Sequence, residues 1–343
     1  MSIVSSLCNF LHNINKTFRV KGPLAGMPQV REDNRAKHIA RCLELALLLE
    51  ASAHKPGNVS VVTNFENTFY DHFLASAVAA TSSFEAAAEH GISVSEGKIG
   101  AADVEVGQLI KRCIADINAW QHGGNTLLGA VILLSPIAVA AGMISAAGDF
   151  DVQCLRRNLK LVVESTTPRD AVNVYAAIEI AKPSGLGKAP ALDINNPESV
   201  NRILHEKISL YKVFEIAEKY DTICFEWVNN YPITFDLAYP SLAKRLQNEG
   251  DPSEAIVQTF LEVLAKVPDT FIARKTGIER SREISLKARQ ILNLGGIVTS
   301  AGKKSLSKFD QELRKSSNLL NPGTTADVLA AALALCVLNG YRP

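Results

Sequence analysis

The sequence predicts an all-α protein, a single multi-helix domain over residues 31–343 packed around a long apolar central helix, with a helical N-terminal extension at 1–30. Three observations carry this. Only 6% of the residues are aromatic, and alanine and leucine dominate, a composition that favours helices over a β-sandwich. Apolar residues recur at intervals of three and four rather than two. Strand-like pieces are confined to "GGIVTS" and "DTICFEWV", and the second reads equally well as a helix.

The elements follow in order. In "MSIVSSLCNFLHNINKTFRV", Ile3, Leu7, Phe10, Leu11 and Ile14 fall near helical spacing. The segment lacks the basic start and cleavage site of a signal peptide. It predicts a short amphipathic helix docking on the protein's own body or on a second subunit, as in a homodimer. Ile39, Leu43, Ala46 and Leu47 share one helical face, with Glu50 a turn beyond, and Pro56–Gly57 stops the helix. "FLASAVAATSSFEAAAEHG" predicts a second helix ending at Gly91. Val106, Leu109, Ile110, Cys113, Ile114, Ile117 and Trp120 make the cleanest amphipathic helix.

"HGGN" breaks that helix, and 21 uncharged residues follow from Leu127 to Ala147. Their length would span a bilayer. Gly129, Ser135, Pro136, Gly142 and Ser145, with no closely flanking Lys or Arg, argue for a buried central helix instead. Thr167 as N-cap, Pro168 at the first helical position and Asp170 in the first turn start another helix. A loop runs to about 197. Helices are expected near 198–219, 236–248, 252–266 and 279–293, with a last one after "NPGTTAD".

A chain of 343 residues, 47% hydrophobic, can bury a large core. Its 36 basic and 35 acidic residues nearly cancel, which argues against a nucleic-acid or membrane-surface binder. The six cysteines form no C-x-x-C pair and read as reduced core residues of a cytoplasmic protein. "GLGK" continues with alanine and is no P-loop. There is no G-x-S-x-G elbow and no H-E-x-x-H.

Four Gly/Asn/Pro breaks remain beside apolar helices: "HKPGNVS", "HGGNT", "KPSGLGK" and "NPGTTAD". Such breaks expose backbone N–H groups at helix N-termini, which suit phosphate. Two of them bring lysines, Lys55 and Lys188. "KPGNV", a "DHFLASA" helix, "GGNT-xx-G" before an apolar helix and a late "NPG-xx-AD" occur together and in order. That set, over roughly residues 37 to 340, resembles the triphosphoribosyl-dephospho-CoA synthase family. It is most similar to the archaeal branch, in which "TTPxDAVNVYxAI" followed by "GLG" recurs.

The resemblance implies an all-helical transferase with ATP as substrate. The ribose C1 of ATP, losing adenine, would be attacked by the 2′-hydroxyl of 3′-dephospho-CoA. An oxocarbenium-like transition state wants a nearby carboxylate, the acceptor a base and the adenine a proton. The triphosphate wants cations, N–H groups and Mg²⁺. On the matching positions, Glu50, Asp71 and His54 are catalytic candidates, and Glu50 with Asp71 candidate Mg²⁺ ligands. Lys55, Gly57, Asn125, Thr126, Gly129, Lys188, Asn321, Gly323 and Asp327 are candidates for substrate and phosphate binding. Arg274 with Lys275, and Glu226 with Asn229 and Asn230, are further polar pieces in apolar surroundings. Partners are expected to be small molecules, with neither nucleic acid nor membrane.

The chain departs from the family pattern at three places. His54 replaces the first proline of Pro-Lys-Pro-Gly. Leu127–Leu128 replaces a His-Lys pair. Of a His-x-Asp-Met element only Asp71 survives. Two other readings therefore stand beside the first. One is a related ribosyl- or phosphoribosyltransferase of archaeal coenzyme biosynthesis with another donor or acceptor. The other is a non-catalytic nucleotide-binding helical protein.

Overall fold

The computed structural model describes residues 35–145, 150–187, 189–248, 251–315 and 318–343. The proposed extension at 1–30 and Lys188 lie outside the described residues. Among those residues the secondary structure is helical throughout, apart from a lone antiparallel bridge between Ser60 and Thr63. The helices are α1 (Arg35–Ser52), α2 (Tyr70–Ser95), α3 (Val106–Trp120), α4 (Leu128–Gly142), α5 (Val152–Glu164), α6 (Pro168–Ala181), α7 (Glu198–His205) and α8 (Leu210–Ala217). They continue as α9 (Thr222–Val228), α10 (Tyr239–Leu246), α11 (Pro252–Lys266), α12 (Thr270–Thr276), α13 (Ile278–Asn293), α14 (Ser300–Arg314) and α15 (Gly323–Leu338). A π-helical turn, Ile233–Ala238, leads into α10.

Two apolar helices, α4 and α15, are buried along nearly their whole length, α4 at every position but Gly129. They pack on each other, α2 covers α4, and α1 lies against both α2 and α15. The uncharged run is thus helical over a shorter stretch than expected. Among the described residues no helix is long and apolar enough to cross a membrane.

Gly91 does not end α2, which continues to Ser95. A Cβ on Gly91 would lie 1.9 Å from the Val139 carbonyl oxygen. The glycine is there so that α2 can touch the backbone of α4. Pro136 sits inside α4 and cannot donate to the carbonyl of Ile132. The indole N–H of Trp227 donates to that carbonyl at 3.1 Å, and the Tyr231 hydroxyl donates to Leu133 O at 3.2 Å. A proline in the middle of a buried helix is therefore satisfied from α9 and the turn after it.

Other boundaries moved for local reasons. The Thr167–Asp170 capping box starts α6 as the sequence predicts. "DTICFEWV" is helix α9, capped by Asp221, whose Oδ1 accepts from the amides of Ile223 and Cys224. The expected 198–219 helix is two helices, because Ser209 caps a new one at Leu210. Glu226 is fully buried and accepts from the Ile233 and Thr234 amides at 2.7 and 2.9 Å. Burial pushes its carboxyl up to about 7. It holds the π-helical turn rather than a substrate.

Candidate active site

The ends of α1, α4, α6, α12 and α15 converge on one cavity of about 480 Å³. One side is polar and includes Glu50, Lys55, Asn125, Arg274, Asn321 and Asp327. The other is an apolar wing built by Tyr175, Leu192, Val213, Phe214 and Ile223. Small-molecule sites have this composition, with a few convergent polar groups on an apolar wall.

The centre of the polar side is a pair of carboxylates brought from opposite ends of the chain. Glu50 is in the last turn of α1 and only 5% exposed. Asp327 is in the first turns of α15 and reaches across to α4 at Gly129. Burial, then the Glu50 carboxylate, then Asp269 hold the Asp327 carboxyl well above the usual range, with the Ala130 amide as the main counterweight. Desolvation and a nearby carboxylate both favour the protonated form of such an acid. Asp269 itself lies outside the cavity lining. It caps α12 and binds the Thr325 amide and hydroxyl at 2.7 and 2.8 Å, which fixes the start of α15.

Lys55 is 1% exposed, far from a solvated turn lysine. Its ammonium lies 3.0 Å from Glu50 Oε1 and donates to the backbone carbonyls of Glu50 and Ala53. Three donors thus meet three acceptors of the chain itself. Lys55 folds back to hold Glu50 and has no open donor for a phosphate. The following turn is fastened to α14. The Gly57 amide donates to Asp310 Oδ1 at 2.8 Å, and Arg314 donates to the Asn58 carbonyl at 2.6 Å. Gly57 has φ +73° and a Cβ there would press on Leu313 at 2.9 Å. Its glycine is demanded by the turn and its N–H is already used.

His54 is exposed, is not among the cavity-lining residues and contacts Ser60 Oγ at 3.0 Å. Asp71 is exposed in the first turn of α2, outside the cavity lining. Asn125, Thr126, Gly129, Asn321 and Gly323 do line the cavity. The Asn125 side chain accepts from the Leu128 amide at 3.1 Å and so starts α4, while Thr126 shares a 2.7 Å hydrogen bond with Ser76. Gly323 leaves room for the Phe271 ring, 3.0 Å from where its Cβ would be.

Two buried polar atoms on cavity-lining residues have no hydrogen-bond partner, Arg274 Nε and Asn321 Oδ1. Native interiors satisfy such groups, and a polar ligand in the cavity would satisfy these two. Arg274 and Lys275 from α12 join Lys182 at the end of α6 as further cations in the lining. Arg274 pairs with Asp221. The sequence offered "FIARKTG" only as a polar piece in apolar surroundings. Its helical placement after the Asp269 cap is what turns it into the cavity.

The model of the ATP:dephospho-CoA triphosphoribosyl transferase family matches residues 36–343. The chain belongs to this family. A curated relative, the 2-(5''-triphosphoribosyl)-3'-dephosphocoenzyme-A synthase of Klebsiella pneumoniae, is 31% identical over 93 residues, covering 27% of this chain and 30% of that protein. A "Probable 2-(5''-triphosphoribosyl)-3'-dephosphocoenzyme-A synthase" of Pseudomonas savastanoi pv. phaseolicola is 29% identical over 113 residues, 33% of this chain and 37% of its own. The chain thus spans about a third of the length of these relatives in the matched stretches. A crystal structure described as a "putative triphosphoribosyl-dephospho-coA synthase from Archaeoglobus fulgidus" has the same fold, with TM-score 0.57 and 22% identity, over 78% of this chain and 100% of that one.

Leu127 and Leu128 stand at the start of α4. Both leucines line the cavity and are nearly buried. The wall at the start of α4 is therefore aliphatic in this member of the family. Besides Lys55, the cavity cations come from the end of α6 and from α12.

Proposed function

We propose that the protein transfers the triphosphoribosyl group of ATP to the 2′-hydroxyl of 3′-dephospho-CoA, releasing adenine and giving 2′-(5″-triphosphoribosyl)-3′-dephospho-CoA. Membership of the family supports the reaction. The observation that carries it here is the Glu50–Asp327 pair inside a cavity with unpartnered polar atoms and a cationic side.

The bond from the acceptor oxygen to the ribose C1 forms as the C1–N9 bond breaks, its electron pair leaving with adenine. One proton passes, in sum, from the acceptor hydroxyl to the base. Two carboxyl groups with different environments suit that exchange. Asp327, protonated by burial and by its neighbours, donates to the departing adenine. Glu50, held in place by Lys55, takes the hydroxyl proton and lies beside the positive charge developing on the sugar. Passing the proton from Glu50 back to Asp327 resets the pair.

Mg²⁺ enters this reading with the triphosphate. Glu50 and Asp71 do not make a donor set, since one lines the cavity and the other does not. Among the described residues no group of three or more His, Cys, Asp or Glu comes together to hold a metal. No step is assigned to the ion. The five described cysteines are free thiols, and a reducing compartment, the cytoplasm, is the setting we propose.

The test is adenine release from ATP, Mg²⁺ and 3′-dephospho-CoA, read by chromatography and mass spectrometry. Adenine together with an adduct carrying the triphosphoribosyl group is the expected result. Intact ATP and dephospho-CoA after prolonged incubation would overturn the proposal.

A further inference from the structure

Lys55, one of the two lysines that the sequence offers for phosphate, has its donors spent on the chain. A polyphosphate in this cavity needs others. The cavity lining contains four cations, Lys55, Lys182, Arg274 and Lys275. Two are neutralised in place, Lys55 by Glu50 and Arg274 by Asp221. Lys182 and Lys275 have no acidic partner within ion-pair distance among the described residues.

Lys275 is unusual for a lysine without a carboxylate. Its ammonium is 3.6 Å from the centre of the Phe271 ring and donates to one acceptor, the Asn318 carbonyl, at 3.2 Å. That leaves two of its three protons uncommitted. The stem is clamped as well. Gly185, at φ +73°, approaches so closely that a Cβ would lie 2.8 Å from Lys275 Cγ. The glycine-rich loop that begins at Lys182 therefore rests on the Lys275 stem, and both lysines line the same cavity. Next to them Arg274 Nε is buried without a partner. Burial pulls the Lys275 ammonium down to about 8, against the opposing Asp269 carboxylate and with the Arg274 charge.

We propose that Lys275, with Lys182 and the free Nε edge of Arg274, forms a polyphosphate subsite of the cavity. The chemistry recognised is a chain of phosphates, from the triphosphate of a ribosyl donor or the diphosphate of a nucleotide acceptor. Only the naming of those two sources rests on the proposed reaction. The subsite itself is read with a probe that cannot react.

That probe is inorganic tripolyphosphate, added to the full chain and followed by calorimetry. Wild type is expected to bind it. Lys275→Met keeps the stem against Phe271 and Gly185 and removes only the charge. Losing a charge-assisted contact weakens binding roughly tenfold to a hundredfold. Lys303→Met, on an exposed lysine paired with Glu254, is expected to bind as wild type does. Should Lys275→Met fold poorly, labelling of wild type with an amine-reactive reagent replaces it, with tripolyphosphate expected to protect Lys275. Competition assigns the source. ATP displacing the probe while 3′-dephospho-CoA does not marks the donor's triphosphate, and the reverse marks the acceptor's diphosphate. No binding by wild type, unchanged affinity in Lys275→Met, or labelling of Lys275 indifferent to the probe each overturns the subsite. None of these outcomes depends on adenine release, so the subsite and the reaction fail separately.

Discussion

Gly129 and Asp327 occupy one space: a Cβ on Gly129 would lie 2.1 Å from Asp327 Oδ2. The glycine lets an acidic side chain from α15 lie against the first turn of α4. Gly129→Ala would push on the tip of a side chain that can swing, so the fold should survive. Alanine also favours the helix by roughly 0.5–1 kcal/mol. The expected variant has a melting temperature near wild type and adenine release reduced about a hundredfold or more, the scale of a lost acid–base contribution. Full turnover in a folded Gly129→Ala protein would remove Asp327 from the chemistry.

Asp327→Asn separates stability from function. The Asp327 carboxyl is raised in the fold by burial, Glu50 and Asp269. A raised carboxyl stabilises the fold fully below its unfolded value, about 4, and loses that contribution as pH rises through its folded value. Asparagine has no such loss. The variant should therefore melt higher than wild type at neutral pH, with the gap closing as pH falls towards about 4. Its adenine release should be abolished. Thermal melts of both proteins from acid to neutral pH check the sign, and a gap that widens on acidification contradicts the assignment.

Much of this was legible in the sequence for reasons that are local. Caps and periodicity are encoded within a few residues, so Thr167–Asp170 and the Val106–Trp120 stripe read directly. Gly91 reads as a stop in the sequence, and in the fold it is a close contact with the Val139 carbonyl. A helix end and a helix–helix approach use the same residue, and a single chain cannot tell them apart. The site was half legible for the same reason. Glu50, Asn125, Asn321 and Asp327 lie beside the motifs and in the cavity. Lys55 is beside a motif too, but which way its ammonium turns depends on Glu50 and the turn tied to α14. Arg274 and Lys275 are brought in by tertiary packing, which no spacing announces.

Lys55→Met tests whether that lysine serves the fold or the ligand. Removing the ammonium leaves the Glu50 carboxylate buried without its ion pair. Breaking a buried pair from one side costs about 3–5 kcal/mol, whereas replacing both partners costs far less. Lys55→Met should unfold at markedly lower denaturant, and Lys55→Met/Glu50→Gln should recover much of the loss. Tripolyphosphate affinity of the folded fraction should stay near wild type. A selective loss of that affinity with stability intact would return Lys55 to the phosphate-binding role.

Trp227 and Pro136 are coupled through a carbonyl neither owns. Pro136 deprives Ile132 O of its helical donor, and the Trp227 indole supplies one at 3.1 Å. Trp227 also meets the Phe214 ring edge-on at 5.0 Å, and Phe214 lines the cavity. Trp227→Phe removes the donor and leaves a buried carbonyl unsatisfied, a penalty of about 1–3 kcal/mol beyond the lost volume. Pro136→Ala restores an N–H four residues after Ile132, so in the Trp227→Phe background it should return part of that stability. The double variant is then less destabilised than the two single changes summed, by an interaction on the order of 0.5–3 kcal/mol. Denaturant unfolding of the four proteins measures this. Strict additivity would mean that the indole packs beside α4 without replacing the hydrogen bond the proline removes.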